Sequence, residues 1–124
     1  MPRLRQPSRL VPAALALGLA AIAGPAHADT EGKRGRVTAL RINTPGSDEH
    51  PLFSGSITVK LGSGALVEYR WGGSSCPGQK LSEPQIDLLL AAFVERNRTR
   101  IVPLYTMGEG PGTRCLVGFT LSAG

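Results

Sequence analysis

Few residues of this chain have the types and spacing that catalysis or metal binding requires. It contains two cysteines, Cys76 and Cys115, and His50 is the one histidine after residue 28. His50 lies in a turn-like segment with no second histidine or cysteine at ligand spacing. A hydrolase that uses Glu68 with Glu109 stays open as an alternative, since a sequence does not show spatial proximity. We therefore expect a protein that is not an enzyme and that needs no cofactor or metal.

The first 28 residues have the pattern of an export signal. Three arginines precede the apolar run LVPAALALGLAAIAG, and a small-x-small site ends at Ala28. We therefore predict cleavage between Ala28 and Asp29, which leaves a periplasmic or secreted mature chain without a membrane span. A retained membrane anchor is the alternative, although a spanning helix needs about 20 apolar residues and this run is shorter.

Removal of this signal changes the charge of the chain. The signal holds three of the 14 basic residues and none of the nine acidic ones, so 11 minus 9 leaves a net charge of +2. Because much of the positive net charge of the full chain comes from the export signal, we expect no nucleic-acid partner. The remainder suffices for one domain, which we divide into a loose lead at residues 29–35 and a folded domain at residues 36–124.

An oxidising compartment favours a disulfide bond between Cys76 and Cys115. Such a bond would close a loop of about 40 residues, which stabilises a folded chain by roughly 4 kcal/mol in the chain-entropy model. A thiol nucleophile or a metal site is the alternative for these cysteines. Either one would need companion residues, and the sequence does not provide them at suitable spacing.

Alternation of apolar and polar residues predicts strands on both sides of one helix. The predicted strands are RVTALRI, SITVKL, ALVEYRW, RIVPLYT and RCLVGFTL. Leu40 and Ile42 share one face of the first, and Gly-Ser-Gly joins the second and third in a hairpin. Pro103 predicts an edge or bulged position, because proline cannot donate to a ladder, and Gly118 predicts a bulge.

The segment LSEPQIDLLLAAFVERN changes to a helical period. Its apolar residues at spacings of three and four are Ile86, Leu89, Leu90, Phe93 and Val94. Ser82 and Gln85 have the spacing of a capping box, which places the start of the helix. Because the apolar residues spread wider than one stripe, the helix has two interpretations: packing on a core or a side that faces a partner.

Three strands, a helix and two strands follow one another in the order of the OB-fold, in which a helix closes one end of a small barrel. We therefore predict a mainly β protein with one helix and an OB-fold-like barrel. An α+β arrangement, with the helix packed on an antiparallel sheet, uses the same elements and is the alternative.

The run ITVKLGSGALVEYRW, the helix QIDLLLAAF, the strand IVPLYT and the last apolar strand resemble the B subunits of pentameric bacterial toxins of the Shiga and cholera types. The resemblance spans roughly residues 36–121. It implies a ring of five copies, with the helices around a central pore, that binds a glycan or a protein receptor. The chain departs from the pattern in two places: Cys76 lies in the loop before the helix, and residues 43–54 form a longer segment.

In the Shiga-type pattern an Arg-Trp pair ends the third strand, and the tryptophan belongs to a glycolipid site. Arg70 and Trp71 match this pair, and with Glu68 they become the candidate ligand-binding residues. An exposed indole can pack on the apolar face of a sugar while the charged neighbours bind hydroxyls. Strict alternation instead turns Trp71 to the core beside Val67 and Tyr69. The alternative function is a periplasmic interaction partner or inhibitor without a sugar site.

Overall fold

The computed structural model describes residues 29–124, and the export signal predicted at residues 1–28 lies outside them. The described residues form one helix and six strands. These are β1 (Thr30–Glu31), β2 (Gly35–Ile42), β3 (Gly55–Leu61), β4 (Leu66–Trp71), α1 (Glu83–Val94), β5 (Thr99–Met107) and β6 (Arg114–Ala123).

Strands β2 to β6 close into a barrel. The pairs β2–β3, β3–β4 and β5–β6 are antiparallel, whereas β4 and β6 run parallel. The pairing of Gly35 with Ile101 joins β5 back to β2 and completes the circle. With α1 between the third and fourth barrel strands, this is a small OB-fold-like barrel with one helix, which confirms the predicted fold class.

The barrel encloses one hydrophobic core to which each of its strands contributes. The core consists of Val37, Ile57, Val59, Tyr69, Trp71, Leu89, Ala92, Ile101 and Leu116. Burial of a large apolar side chain stabilises a fold by about 1.5–3 kcal/mol. The side chains that α1 adds, Leu89 and Ala92, are at most 2% exposed, so the helix packs on the barrel with its middle turns.

The predicted capping box begins α1. The Ser82 backbone N–H donates to Gln85 Oε1 at 2.8 Å, and the Gln85 N–H donates to Ser82 Oγ at 3.4 Å. Pro84 lies in the first turn, where a missing N–H costs nothing. The predicted apolar face is partly wrong: Leu90 and Val94 are 47% and 62% exposed.

A bulge in β2 changes which of its residues point inward. Val37 pairs with Val59, but the next registered pair is Ala39 with Thr58, so Thr38 is an extra residue. The alternation therefore shifts after Val37. Val37 and Leu40 both contact the core, and Ile42, which shares the face of Leu40 as predicted, is 50% exposed at the end of the strand.

The lead at residues 29–35 is held by β5 rather than loose, which corrects the prediction. Thr30 pairs with Tyr105, and the Gly32 N–H donates to the carbonyl of Pro103 at 2.7 Å. Gly32, the residue after β1, thus covers Pro103 on this side, and Phe119 of β6 pairs with it on the other, so the edge position predicted for Pro103 is not found. The register of β5 with β6 shifts between Leu104 and Tyr105, next to the position that pairs with Gly118.

Cys76 and Cys115 form a disulfide bond, with their Cα atoms 5.6 Å apart, as predicted. The bond lies where β4 meets β6, and Arg70 with Cys115 is the registered pair of this parallel contact. It therefore reinforces the closing contact of the barrel. Disulfide bonds persist in oxidising compartments, and this one fits a periplasmic or extracellular protein.

Within residues 29–124, no helix combines the length and apolar character that a membrane crossing requires.

Candidate binding site

Trp71, the first of the predicted ligand-binding residues, lies in the core. Its side chain is 2% exposed, like that of Tyr69, and the half-buried Arg70 stands between them. The strand therefore keeps its alternation to its last residue. The indole lies against its cross-strand partner Gly55, so closely that a β-carbon there would overlap the ring. Neither face of the indole is open to a sugar in this structure.

An edge of Trp71 contributes to the wall of a small cavity beside the start of α1. Ile42, Lys80 and Ile86 also line this cavity, whose volume is about 210 Å³. Pockets that hold small organic ligands measure roughly 300–1,000 Å³. The cavity is smaller than such pockets, and the other two candidate residues lie on the outward face of β4.

Glu68 and Arg70 lie together on that outward face. Their side chains are 45% and 31% exposed. The Arg70 Nε–H donates to Glu68 Oε1 at 2.9 Å. The guanidinium carbon of Arg70 also stands 4.0 Å from the ring centroid of Phe53, a cation–π contact. Two independent contacts thus fix the Arg70 guanidinium, which an ion pair on a bare surface would not do.

Phe53 comes from the long segment between β2 and β3, and a second arginine covers it. Arg41 Cζ lies 5.6 Å from the Phe53 ring centroid, and Arg41 Nη2 lies 2.7 Å from Glu49 Oε1. Phe53 is itself only 2% exposed, and its carbonyl accepts a hydrogen bond from Asn43 Nδ2 at 2.9 Å. The segment is therefore anchored to the barrel through this ring.

We call the two ion pairs above Phe53 the Glu68–Arg70 surface; it consists of Glu68, Arg70, Arg41 and Glu49. It presents guanidinium donors and carboxylate acceptors to solvent in a fixed arrangement. Guanidinium groups recognise planar and oxygen-rich partners with paired hydrogen bonds, and carboxylates accept from hydroxyl groups. The surface can therefore bind a partner rich in hydroxyl or amide groups.

The other side chains that could take part in catalysis or metal binding lie in separate parts of the structure. Glu109 lies at the disulfide end, where its backbone N–H donates to the Ser75 carbonyl at 2.9 Å, whereas Glu68 is paired with Arg70. The His50 backbone N–H donates to the Ser47 carbonyl at 3.2 Å within a loop. Within residues 29–124, no three histidine, cysteine or acidic side chains lie close enough together to hold a metal ion.

Tyr69 is the buried group with a perturbed ionisation. Burial raises the pKa of its phenol above the ordinary value, and the positive charge of Arg114 opposes this effect. Its ring meets Tyr105 edge to face, with centroids 5.5 Å apart and planes at 60°. Tyr69 is a packing residue whose hydroxyl stays neutral at physiological pH.

Sequence reasoning missed Phe53, Arg41 and Glu49. They belong to a bulged strand and an irregular segment, so no periodicity marks them. Comparison with known proteins adds no further site: the chain matches no protein-family model, no curated protein and no solved structure. The resemblance to toxin B subunits thus stays a prediction, and the function has to be inferred from the geometry itself.

Proposed function

We propose that this chain is an exported, non-enzymatic binding module that recognises a glycan or a protein receptor through the Glu68–Arg70 surface. The observation that carries the proposal is the fixed Arg70 side chain, paired with Glu68 at 2.9 Å and stacked on the buried Phe53 at 4.0 Å. In this proposal residues 1–28 are the export signal, and it is cleaved between Ala28 and Asp29.

A fixed surface binds with less loss of entropy than a mobile one. An interface that must immobilise a flexible side chain loses about 0.5–1.5 kcal/mol for each one. Arg70 and Arg41 are both held over Phe53 before any ligand arrives. Recognition through this surface is polar, because the guanidinium groups cover the aromatic ring and the indole of Trp71 is buried.

Glycan and receptor binding can be tested with arrays of cell-surface glycans and with the protein purified after export. We expect Arg70→Gln to weaken binding at least tenfold, because it removes the fixed guanidinium. The matched control is Arg98→Gln, which breaks the exposed ion pair of Arg98 with Glu95 outside this surface and should leave affinity within twofold. Unchanged binding by a folded Arg70→Gln variant would contradict the proposal.

The exposed apolar side of α1 favours a second candidate, a protein that acts through protein contacts and has no sugar site. Leu90 and Val94, one turn apart on the same flank of α1, are 47% and 62% exposed, and Leu88, on the other flank, is 51% exposed. Exposed apolar patches often mark interaction sites. In this candidate the occupant is a different protein, whereas the toxin-like ring of the glycan-binding candidate would place a further copy of this chain there.

Solution mass by analytical ultracentrifugation separates the two candidates. The ring predicts a pentamer that Leu90→Glu with Val94→Glu converts to monomer. Leu66→Glu, at an exposed leucine away from α1, should leave the pentamer intact. A pentamer supports the glycan-binding candidate, and a monomer at high concentration contradicts the toxin-like ring.

A further inference from the structure

A second polar surface lies at the opposite end of the β3–β4 hairpin from Arg70. A cleft of about 510 Å³ opens there, and Arg34, Arg36, Lys60 and Arg100 contribute to its wall. The turn between β3 and β4, residues 62–64, forms another side of it. We call these four cations and the turn the basic cleft. No acidic residue is among the described residues that line it.

The sheet register explains how the cations come together. Arg36 pairs directly with Lys60 across β2 and β3. The antiparallel pairing of Gly35 with Ile101 brings Arg36 beside Arg100 on the other flank. Adjacent strands are about 5 Å apart, so three positive side chains stand in a row on three neighbouring strands.

This row opposes the stability of the sheet. Like charges directly opposite each other on neighbouring strands are destabilising, and Arg36 has such a neighbour on both sides. In many proteins, residues that destabilise the local structure without a compensating interaction lie at functional sites. A negatively charged group bound beside the row would therefore reduce this repulsion.

Carboxylates in the described part of the chain do not supply it. The ion pairs found within residues 29–124 use Arg41, Arg70 and Arg98. Two of the cleft arginines donate to main-chain carbonyls instead: Arg34 Nη2 to Ala123 at 3.3 Å, and Arg100 Nη1 to Thr99 at 3.2 Å. Each guanidinium has five N–H donors, so these contacts position the side chains and leave donors for a ligand.

We propose that the basic cleft binds a phosphate or sulfate group carried by a sugar chain. A tetrahedral oxyanion offers several oxygens to guanidinium forks and to an ammonium at once. Its negative charge cancels the repulsion along the row of Arg100, Arg36 and Lys60. The cleft volume falls within the range for small organic ligands, so the sugar unit that bears the anion fits beside it.

The lining of the cleft favours a sugar over a nucleic acid. Single-stranded nucleic acids are held by aromatic side chains on which the bases stack, and no aromatic residue is among those described as lining the cleft. Ser63, at the tip of the exposed turn, instead offers a hydroxyl. The site is separate from the Glu68–Arg70 surface, so either proposal can fail without the other.

The ligand class can be tested by calorimetric titration of the exported protein at 50 and 200 mM salt. The probes are three tetrasaccharides of equal charge, one sulfated, one phosphorylated and one with carboxylates only. We expect the sulfated or the phosphorylated probe to bind at least tenfold more tightly than the carboxylated one, and the tighter of the two identifies the source of the anion. Equal affinity for all three, or no binding at 50 mM salt, overturns the proposal.

The position of the site is tested by the double variant Arg36→Gln with Lys60→Gln. We expect at least a tenfold loss of affinity for the probe that binds best. The matched control, Lys80→Gln with Arg96→Gln, removes the same two charges outside the cleft and should stay within twofold. Equal losses in the two variants would mean attraction by net charge alone and would overturn the site.

A stability measurement separates binding from a structural role. Because the cleft variant loses repulsion between Arg36 and Lys60, its Tm without ligand should equal or exceed that of the unmodified protein. Inorganic sulfate should shift the amide resonances of Gly62 and Gly64 in the unmodified protein and not in the variant. A lower Tm together with unshifted resonances would show that the cations serve the fold, against the proposal.

Discussion

The indole of Trp71 packs directly against Gly55, its cross-strand partner between β3 and β4. The absence of a side chain at Gly55 gives the ring its place in the core, and the ring covers a position that would otherwise leave a gap. Trp71 is consequently a structural residue, although its neighbour Arg70 belongs to the proposed binding surface.

Substitutions at this contact should destabilise the fold. Gly55→Ala inserts a methyl group into the indole and should lower the free energy of unfolding by about 1–3 kcal/mol. Trp71→Ala leaves a cavity and should cost about 3–5 kcal/mol. Urea denaturation followed by circular dichroism measures both changes. Gly46→Ala is the control, because a β-carbon there meets no atom within 4 Å; equal stability of the Gly55 and Gly46 variants would contradict the packing.

Tyr69 should make the protein sensitive to alkali. Its pKa is raised in the folded state by burial, so the neutral phenol binds its proton more tightly there than in the unfolded chain. The corresponding stability is present below the unfolded pKa of about 10 and is lost as the pH rises through the higher folded value. Denaturation curves between pH 9 and 11.5 should show this loss, and Tyr69→Phe should reduce its slope. An unaltered slope in Tyr69→Phe would count against burial as the cause.

Removal of the disulfide bond should loosen the barrel at one place first. Cys76→Ser with Cys115→Ser should lower the free energy of unfolding by about 4 kcal/mol, the value for a loop of this length. Hydrogen exchange should accelerate most in β4 and the start of β6, where the parallel contact depends on the pair of Arg70 and Cys115. The antiparallel β2–β3 pair should change least. Uniform acceleration over all strands would refute a special role for this contact.

The cap of α1 should contribute measurably to stability. Ser82→Ala removes the oxygen that accepts from the Gln85 N–H, and the expected cost is about 1 kcal/mol. Thermal unfolding measures the change. Ser122→Ala, at an exposed position near the end of β6, is the matched control and should change the free energy of unfolding by no more than about 0.5 kcal/mol. Identical Tm values for the two variants would argue against the cap.

Features that depend on neighbouring residues could be predicted from the sequence. The capping box of Ser82 and Gln85 is a contact across three positions, and the alternation of β4 up to Trp71 is a property of an extended chain. The disulfide bond followed from the number of cysteines. The barrel followed from the order of elements, because few arrangements bury one face of five strands and one stripe of a helix.

Features that depend on pairings between distant residues could not be predicted from the sequence. The bulge at Thr38 is set by the register of β2 with β3, and it turns Val37 as well as Leu40 to the core, which strict alternation does not predict. The stacking of Arg70 on Phe53 joins a strand to an irregular segment. The basic cleft likewise exists because β5, β2 and β3 become neighbours, and in the sequence Arg36, Lys60 and Arg100 are far apart.

The position of the two cysteines also simplifies oxidative folding. Cys76 precedes Cys115 by 39 residues. During synthesis or export from the N-terminus, the Cys76 thiol therefore has no intramolecular partner until the last barrel strand, which carries Cys115, is present. When that strand arrives, one intramolecular pairing exists, because the chain has two cysteines. An oxidant is therefore enough to complete the protein, and no disulfide isomerase is needed to correct a mispaired intermediate.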